Sequence, residues 1–169
     1  MDTEKLKGIA VVAMDAGTKL GMVERPLFDP VTLDLRAFQI KGDGQTFIVP
    51  WELVQSIGAD AIMVASSAVA QTAAQGGDMG HLVDHAALTR LKVVDAAGTF
   101  IGTVSDVTLD PTTGRALGII VHKGGFLGHF GETTTIEMAA TRGVGTDIIT
   151  VLVAAPATTD DTAPETATA

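Results

Sequence analysis

Cysteine is absent from this chain of 169 residues, which excludes disulfide bonds, a thiolate nucleophile and a cysteine-based zinc site. Long apolar runs are absent too, because the stretch 57–70 is interrupted by Asp60 and two serines and is shorter than the ~20 residues that cross a bilayer. Residues 1–8 are charged, and no apolar segment of signal-peptide length follows them. We therefore expect a cytoplasmic protein without a membrane span.

Clusters of lysine and arginine are also absent. The net charge is −9, and the 11 basic residues are scattered among 20 acidic ones. Clustered positive side chains are what attract a nucleic-acid backbone. The composition therefore predicts no direct contact with nucleic acid.

The chain repeats itself. Residues 12–32 match residues 93–113 at nine of 21 positions with a constant offset of 81, and residues 57–64 resemble residues 144–151 with an offset of 87. A duplication at this spacing indicates two copies of one small unit rather than one continuous core. We predict a first repeat at 1–64, a connector at 65–87, a second repeat at 88–153 and a disordered acidic tail at 154–169.

Within each repeat, short apolar stretches alternate with turn residues. Asp29-Pro30 and Asp110-Pro111 predict turns, since proline presets φ for the second residue of a turn and aspartate accepts hydrogen bonds from nearby amides. Apolar residues with a period of two predict half-buried strands around these turns. Five or six short strands per repeat favour an all-β fold of two tandem small barrels, because closure of a barrel removes exposed sheet edges.

Two strings in the first repeat carry a resemblance to a known family. They are Ile48-Val49-Pro50-Trp51-Glu52 and Ile57-Gly58-Ala59-Asp60. With the Gly-x-Val and Asp-Pro positions before them, they resemble the PRC-barrel family over residues 6–64 and 88–153. The second copy departs from the pattern at residues 135–138, where the turn lacks proline. The resemblance implies small β-barrels that serve in assembly or interaction, without shared catalytic residues.

Candidates for chemistry are few. His81, Asp84 and His85 have the spacing of metal ligands on a helix, but they lie in the predicted connector among glycines, so we expect no metal there. Asp29 and Asp110 each have a sufficient local role in a turn. No nucleophile motif is present, and we predict a protein that is not an enzyme and binds no cofactor.

The second repeat carries six extra residues where the first has a minimal hairpin. This loop contains Phe126, Leu127, His129 and Phe130, and such residues are typical of partner contacts. We predict that they bind a partner together with Trp51. The alternatives are that the loop fills the end of a barrel or covers the other repeat, and that Trp51 packs at a barrel end or between the barrels, or forms a platform for a ligand.

These features favour a non-enzymatic adaptor or assembly module that acts through contacts with a protein partner, and a homo-oligomer is also compatible with them. A second hypothesis is a protein that binds a small molecule or a metal in the groove between the barrels, using His81, His85 and Trp51. A third, which the resemblance to the PRC-barrel family implies, is a factor associated with ribosome assembly, which would contact a basic ribosomal protein rather than RNA.

Overall fold

Short strands form most of the regular structure, in two sheets that follow each other along the chain. The computed structural model describes residues 1–70, 79–124 and 131–152. The strands of the first unit are β1 (Ala10–Ala13), β2 (Thr18–Phe28), β3 (Leu35–Lys41), β4 (Thr46–Pro50), β5 (Val54–Ile57) and β6 (Ala61–Val64). After them comes β7 (Val83–Asp84). The strands of the second unit are β8 (Lys92–Asp95), β9 (Phe100–Leu109), β10 (Ala116–Lys123), β11 (Glu132–Glu137), β12 (Thr141–Val144) and β13 (Ile148–Val151).

The two units have the same topology. Their strand orders are β4-β3-β2-β1-β6-β5 and β11-β10-β9-β8-β13-β12. In each unit the first and last strands pair in parallel, β1 with β6 and β8 with β13, and the other pairs are antiparallel. The prediction of two tandem β-barrel-like units is confirmed. Among the residues that the structure describes, no helix is long and apolar enough to cross a bilayer.

The internal repeat shifts by one residue in the first strand. Val11 pairs with Gly21 and is buried. Val93 pairs with Gly102 and is also buried, so Val11 and Val93 are equivalent. The constant offset of 81 instead aligned Val93 with Val12, which is only half-buried. The turn after β1 is thus one residue longer than the turn after β8. Since a slip of one residue moves a strand's side chains to the opposite face, the alignment was wrong in this strand.

The core follows the period of two that the sequence showed. Inward side chains include Phe28 and Phe38, which are fully buried, and burial of each such side chain stabilises the fold by about 1.5–3 kcal/mol. One-turn helices precede β1 and β8, at Thr3–Leu6 and His85–Leu88. Leu6 and Leu88 anchor these turns, and they are 0% and 1% exposed. We call residues 1–6 and 83–88 the entry segments of the two units.

Part of the predicted connector belongs to a sheet. The segment 65–87 was expected to lie outside both repeats, yet β7 lies within it and pairs with β2 of the first unit. His85, which follows β7, opens the one-turn helix that leads into the second unit. Residues 83–87 are therefore part of the folded structure, since they pair with the first unit and lead into the second, and they do not form a linker.

The missing proline in the second copy does not change the turn. Pro50 precedes the one-turn helix Trp51–Leu53 with φ −61° and ψ 150°, and Glu137 precedes Met138–Ala140 with φ −67° and ψ 145°. The two residues also pair with equivalent neighbours, Ala37 and Gly118. Glutamate adopts the extended conformation that proline favours, so the same corner forms without proline.

The two Asp-Pro turns form as predicted. Asp29 Oδ1 accepts a hydrogen bond from the backbone N–H of Thr32 (2.9 Å), and Asp110 Oδ1 accepts one from Thr112 (2.8 Å). The hydrogen bond from Thr32 lowers the pKa of Asp29, and that from Thr112 lowers the pKa of Asp110. A lowered pKa means that the ionised carboxylate is favoured in the folded state. These turns therefore stabilise the fold at neutral pH, and the stabilisation is lost as the pH falls through the acidic range.

Candidate functional site

The entry segment of the first unit contacts the long strand of the second. The amino group of Met1 donates to the carbonyl oxygen of Leu109 (2.9 Å), and the N–H of Leu109 donates to the carbonyl oxygen of Met1 (2.8 Å). Asp2 forms an antiparallel bridge with Thr108. The start of the chain is thereby joined to β9, more than 100 residues away.

The entry segment of the second unit makes the equivalent contact with the first. In β7, Val83 pairs with Phe28 and Asp84 pairs with Leu27. Phe28 and Leu109 stand at the same place in the two copies. Each unit therefore sends its entry segment to the long strand of the other, and we call this pair of contacts the reciprocal clasp.

A buried carboxylate lies at the centre of the reciprocal clasp. Asp106 is 7% exposed, and its Oδ1 accepts hydrogen bonds from the backbone N–H of Thr3 (3.2 Å) and from the Thr3 hydroxyl. Its Oδ2 accepts from the backbone N–H of Glu4 (3.3 Å). A buried carboxylate must be satisfied in this way, because desolvation of an unpaired charge is costly. The second unit thus holds the entry segment of the first through several bonds to one side chain.

A bulge in each long strand positions the matching residues of this junction. The pairing register shifts just before Arg25 in β2 and just before Asp106 in β9, and such bulges redirect side chains. Arg25 takes the place of Asp106 in the first copy, and its Nη1 lies 3.3 Å from Oδ2 of Asp84. This ion pair is half exposed, so we assign it little stability. The two equivalent positions therefore hold opposite charges.

A cleft of about 500 Å³ opens beside the reciprocal clasp. Its wall carries both signs of charge, with Lys7 and Arg25 facing Glu4, Glu24 and Asp84. His85 also lines the cleft; its Nε2 is buried and has no hydrogen bond within the described residues, and it lies 3.5 Å from Oδ1 of Asp106. A wall of mixed charge does not select ions of one sign. The cleft supplies a concave surface on which carboxylates, cationic side chains and an imidazole lie together.

A second junction lies at the Asp-Pro turns. The N–H of Leu35 donates to the carbonyl oxygen of Gly114 (2.8 Å), and the N–H of Ala116 donates to Oδ1 of Asp34 (2.9 Å). The ring of Trp51 packs on Gly114 so closely that a Cβ atom there would lie 2.9 Å from Cε2 of the ring. Trp51 thus packs between the units, one of the roles predicted for it. Its additional role in binding a partner stays a prediction.

The structure does not assemble the ligand groove expected from sequence. Asp84 Oδ1 accepts from the N–H of Ala87 (3.0 Å) and caps the helix that His85 opens. The cleft contains Asp84 and His85, whereas His81 is exposed outside it and Trp51 lines a different depression. Within residues 1–70, 79–124 and 131–152, no three His, Asp or Glu side chains are grouped to hold a metal ion. His81, His85 and Trp51 thus do not line one described cleft, and ligand binding between the units stays a prediction.

We expect Zn²⁺ and Ni²⁺ to leave the melting temperature of the purified protein nearly unchanged. A preformed site would raise that temperature through ligand linkage, and Asp84 is already engaged with Ala87 and Arg25. Differential scanning fluorimetry with and without each ion would measure the effect. A rise of several degrees that disappears in both His81→Ala and His85→Ala would overturn this expectation.

The predicted anchors of the long loop, Phe126, Leu127, His129 and Phe130, lie outside the described residues, so their role stays a prediction. Sequence reasoning missed Thr3 and Asp106. The available signal was a charged residue at a core-facing position, since Asp106 lies two residues after Val104 in a strand of period two. Such a residue either faces solvent or needs buried partners.

Comparison with known families agrees with the repeated topology. A model of the PRC-barrel domain matches the chain twice, over residues 1–71 and 83–155. The second match starts at Val83, the first residue of β7, so it includes the entry segment that the predicted connector had absorbed. No curated protein matches the chain.

Proposed function

Because this chain belongs to the PRC-barrel domain family, we propose that it is a non-enzymatic adaptor or assembly module acting through contacts with a protein partner. PRC-barrel domains are commonly protein-interaction modules and are generally non-catalytic. The observation that carries the proposal is the reciprocal clasp, which joins two such modules by backbone pairing in both directions. Two modules in one fixed arrangement suit a protein that positions its partners.

Fixed geometry matters for such a role. When two binding surfaces are joined, the second contact becomes intramolecular and its strength depends on the distance between the surfaces. A flexible linker spreads that distance, whereas paired strands and the buried Asp106 hold it nearly constant. The clasp therefore supports a module that engages one large partner, or two partners together.

The long loop of the second unit provides the first test of this proposal. Changing Phe126, Leu127 and Phe130 together to serine should weaken the capture of a partner, because apolar anchors contribute most of the binding energy in many interfaces. Affinity capture from a native lysate, quantified by mass spectrometry, would measure the loss. The melting temperature should stay within a few degrees of the parent.

A matched control removes exposed apolar side chains elsewhere. Met14, Val31 and Leu117 are each more than half exposed, and changing all three to serine should leave capture intact. Equal capture by the loop variant and the parent would refute the loop as the recognition element. Unfolding of the second unit by the loop variant would show that the loop fills the barrel end instead.

The cleft beside His85 supports a second candidate function, the binding of a small molecule. A library of polar metabolites screened by thermal shift would test it, with Arg25→Ala as the comparison. A compound that stabilises the parent but not this variant would favour the cleft. The third hypothesis, association with ribosome assembly, is tested by co-sedimentation with ribosomal subunits.

A further inference from the structure

Strand β11 forms an open sheet edge. It pairs with β10 along its whole length, from Glu132 to Glu137, and in the described part of the chain no strand pairs with its other side. Its first four residues are exposed. The outer N–H and C=O groups of such a strand can pair with a further strand.

The equivalent strand of the first unit, β4, is less suited to pairing with a further strand. β4 ends at Pro50, which has no N–H, and its Phe47, Ile48 and Val49 are partly or fully buried. In β11 the place of Pro50 is taken by Glu137, which restores a donor. Proteins commonly protect sheet edges with proline or with a covering segment. The second unit has no such proline at its edge.

The residues of β11 indicate what would bind there. Thr133, Thr134 and Thr135 are β-branched and favour extended pairing. Glu132 and Glu137 stand at the two ends, both are exposed, and neither forms an ion pair with a residue that the structure describes. A second copy of β11 paired antiparallel over its full length would place Glu132 opposite Glu137, and opposed like charges are destabilising. The charges therefore favour a basic strand over self-association.

We propose that the outer edge of β11 accepts an extended basic segment of another protein as an added antiparallel strand. Lysine or arginine side chains of that segment lie opposite Glu132 and Glu137, and β-branched residues lie opposite the threonines. The inference rests on the proposed adaptor function and deepens it, because it states the chemistry of the partner.

A synthetic peptide tests the pairing directly. The capped peptide Lys-Val-Thr-Val-Thr-Lys matches the six residues of β11, with a lysine opposite each glutamate. Two isomers carry N-methyl groups on alternate residues, so that each blocks hydrogen bonding along one edge only. Since only one edge of an added strand faces β11, one isomer should bind like the parent peptide. The other should bind at least about tenfold more weakly, because it loses several hydrogen bonds.

Charge variants supply the second arm. Glu132→Gln combined with Glu137→Gln should weaken the binding of the parent peptide about threefold to tenfold. The matched control, Asp43→Asn combined with Glu52→Gln, changes net charge equally at exposed sites away from β11 and should have no effect. Isothermal titration calorimetry would measure the affinity of the parent peptide for the parent protein and for both double variants.

Equal binding of both isomers, absence of binding by all peptides, or equal weakening by both charge variants would overturn the proposal. If no peptide binds while the intact chain still captures a protein, only the proposed binding at the β11 edge is refuted. Binding of the peptides with the expected pattern, in a chain that captures no protein, would support the edge and count against the adaptor function.

Discussion

Replacing Asp106 with alanine should lower the free energy of unfolding by about 3 kcal/mol. The change removes the acceptor for the backbone N–H groups of Thr3 and Glu4 and for the Thr3 hydroxyl, and both Thr3 and Asp106 are buried. A buried donor without an acceptor loses its full hydration, so the cost exceeds the worth of an exposed hydrogen bond. Urea denaturation followed by circular dichroism would measure the loss.

Two further variants distinguish the loss of the contact between the units from a local effect on β9. Thr3→Ala removes only the hydroxyl bond and should cost about 1 kcal/mol. Because Thr3 and Asp106 interact across the junction, the double variant should lose less than the sum of the two single losses. Additive losses, or a loss below about 1 kcal/mol for Asp106→Ala, would show that the carboxylate does not hold the entry segment.

Replacing Gly114 with alanine should also cost about 3 kcal/mol, for a different reason. Gly114 has φ +70°, which costs a residue with a Cβ about 1–2 kcal/mol. The new Cβ would in addition lie 2.9 Å from the Trp51 ring and 3.2 Å from the carbonyl oxygen of Leu35. Overpacking of this kind costs about 1–3 kcal/mol. The same denaturation experiment would measure it.

Gly17 provides the matched control for Gly114. It has φ +61° and no heavy atom within 4 Å of an added Cβ, so Gly17→Ala should cost only about 1 kcal/mol. Combining Gly114→Ala with Trp51→Leu should cost less than the two single changes together, because the smaller side chain removes the clash. Equal losses in the free energy of unfolding at Gly17 and Gly114 would show that the Trp51 ring moves aside at little cost. Leu33 occupies the equivalent place in the first unit at φ +61° and is fully buried, so backbone strain alone is tolerated there.

The fold could be predicted from sequence because its signals are local or repeated. The period of two, the Asp-Pro turns and the duplicated strings each constrain a few neighbouring residues, and their repetition at two offsets fixes two equal units. The alignment of β1 with β8 was wrong for a related reason. Matching letters at a constant offset did not allow for a turn that differs by one residue between copies, so Val12 was aligned where Val11 belongs.

The junctions between the units could not be predicted in the same way. The contacts of Thr3 with Asp106 and of Leu35 with Gly114 join residues far apart in sequence, and nothing in either short segment specifies its partner. His85 was identified as a ligand candidate because of its spacing from His81, although its surroundings come from β9 and β2. Chemistry that depends on tertiary contacts leaves only a weak trace in a single sequence.

In terms of symmetry, the reciprocal clasp has the form of an isologous dimer interface within one polypeptide, since each half gives and receives the same segment. A dimer of identical chains must use the same residue in both contacts, so any change at such an interface occurs twice. The covalent link removes this constraint, and association no longer depends on concentration. Here one half has Arg25 where the other has Asp106, and Leu33 where the other has Gly114. A two-fold homodimer of identical chains could not contain such differences between equivalent positions. One half can therefore specialise its exposed surfaces while the other keeps the assembly together.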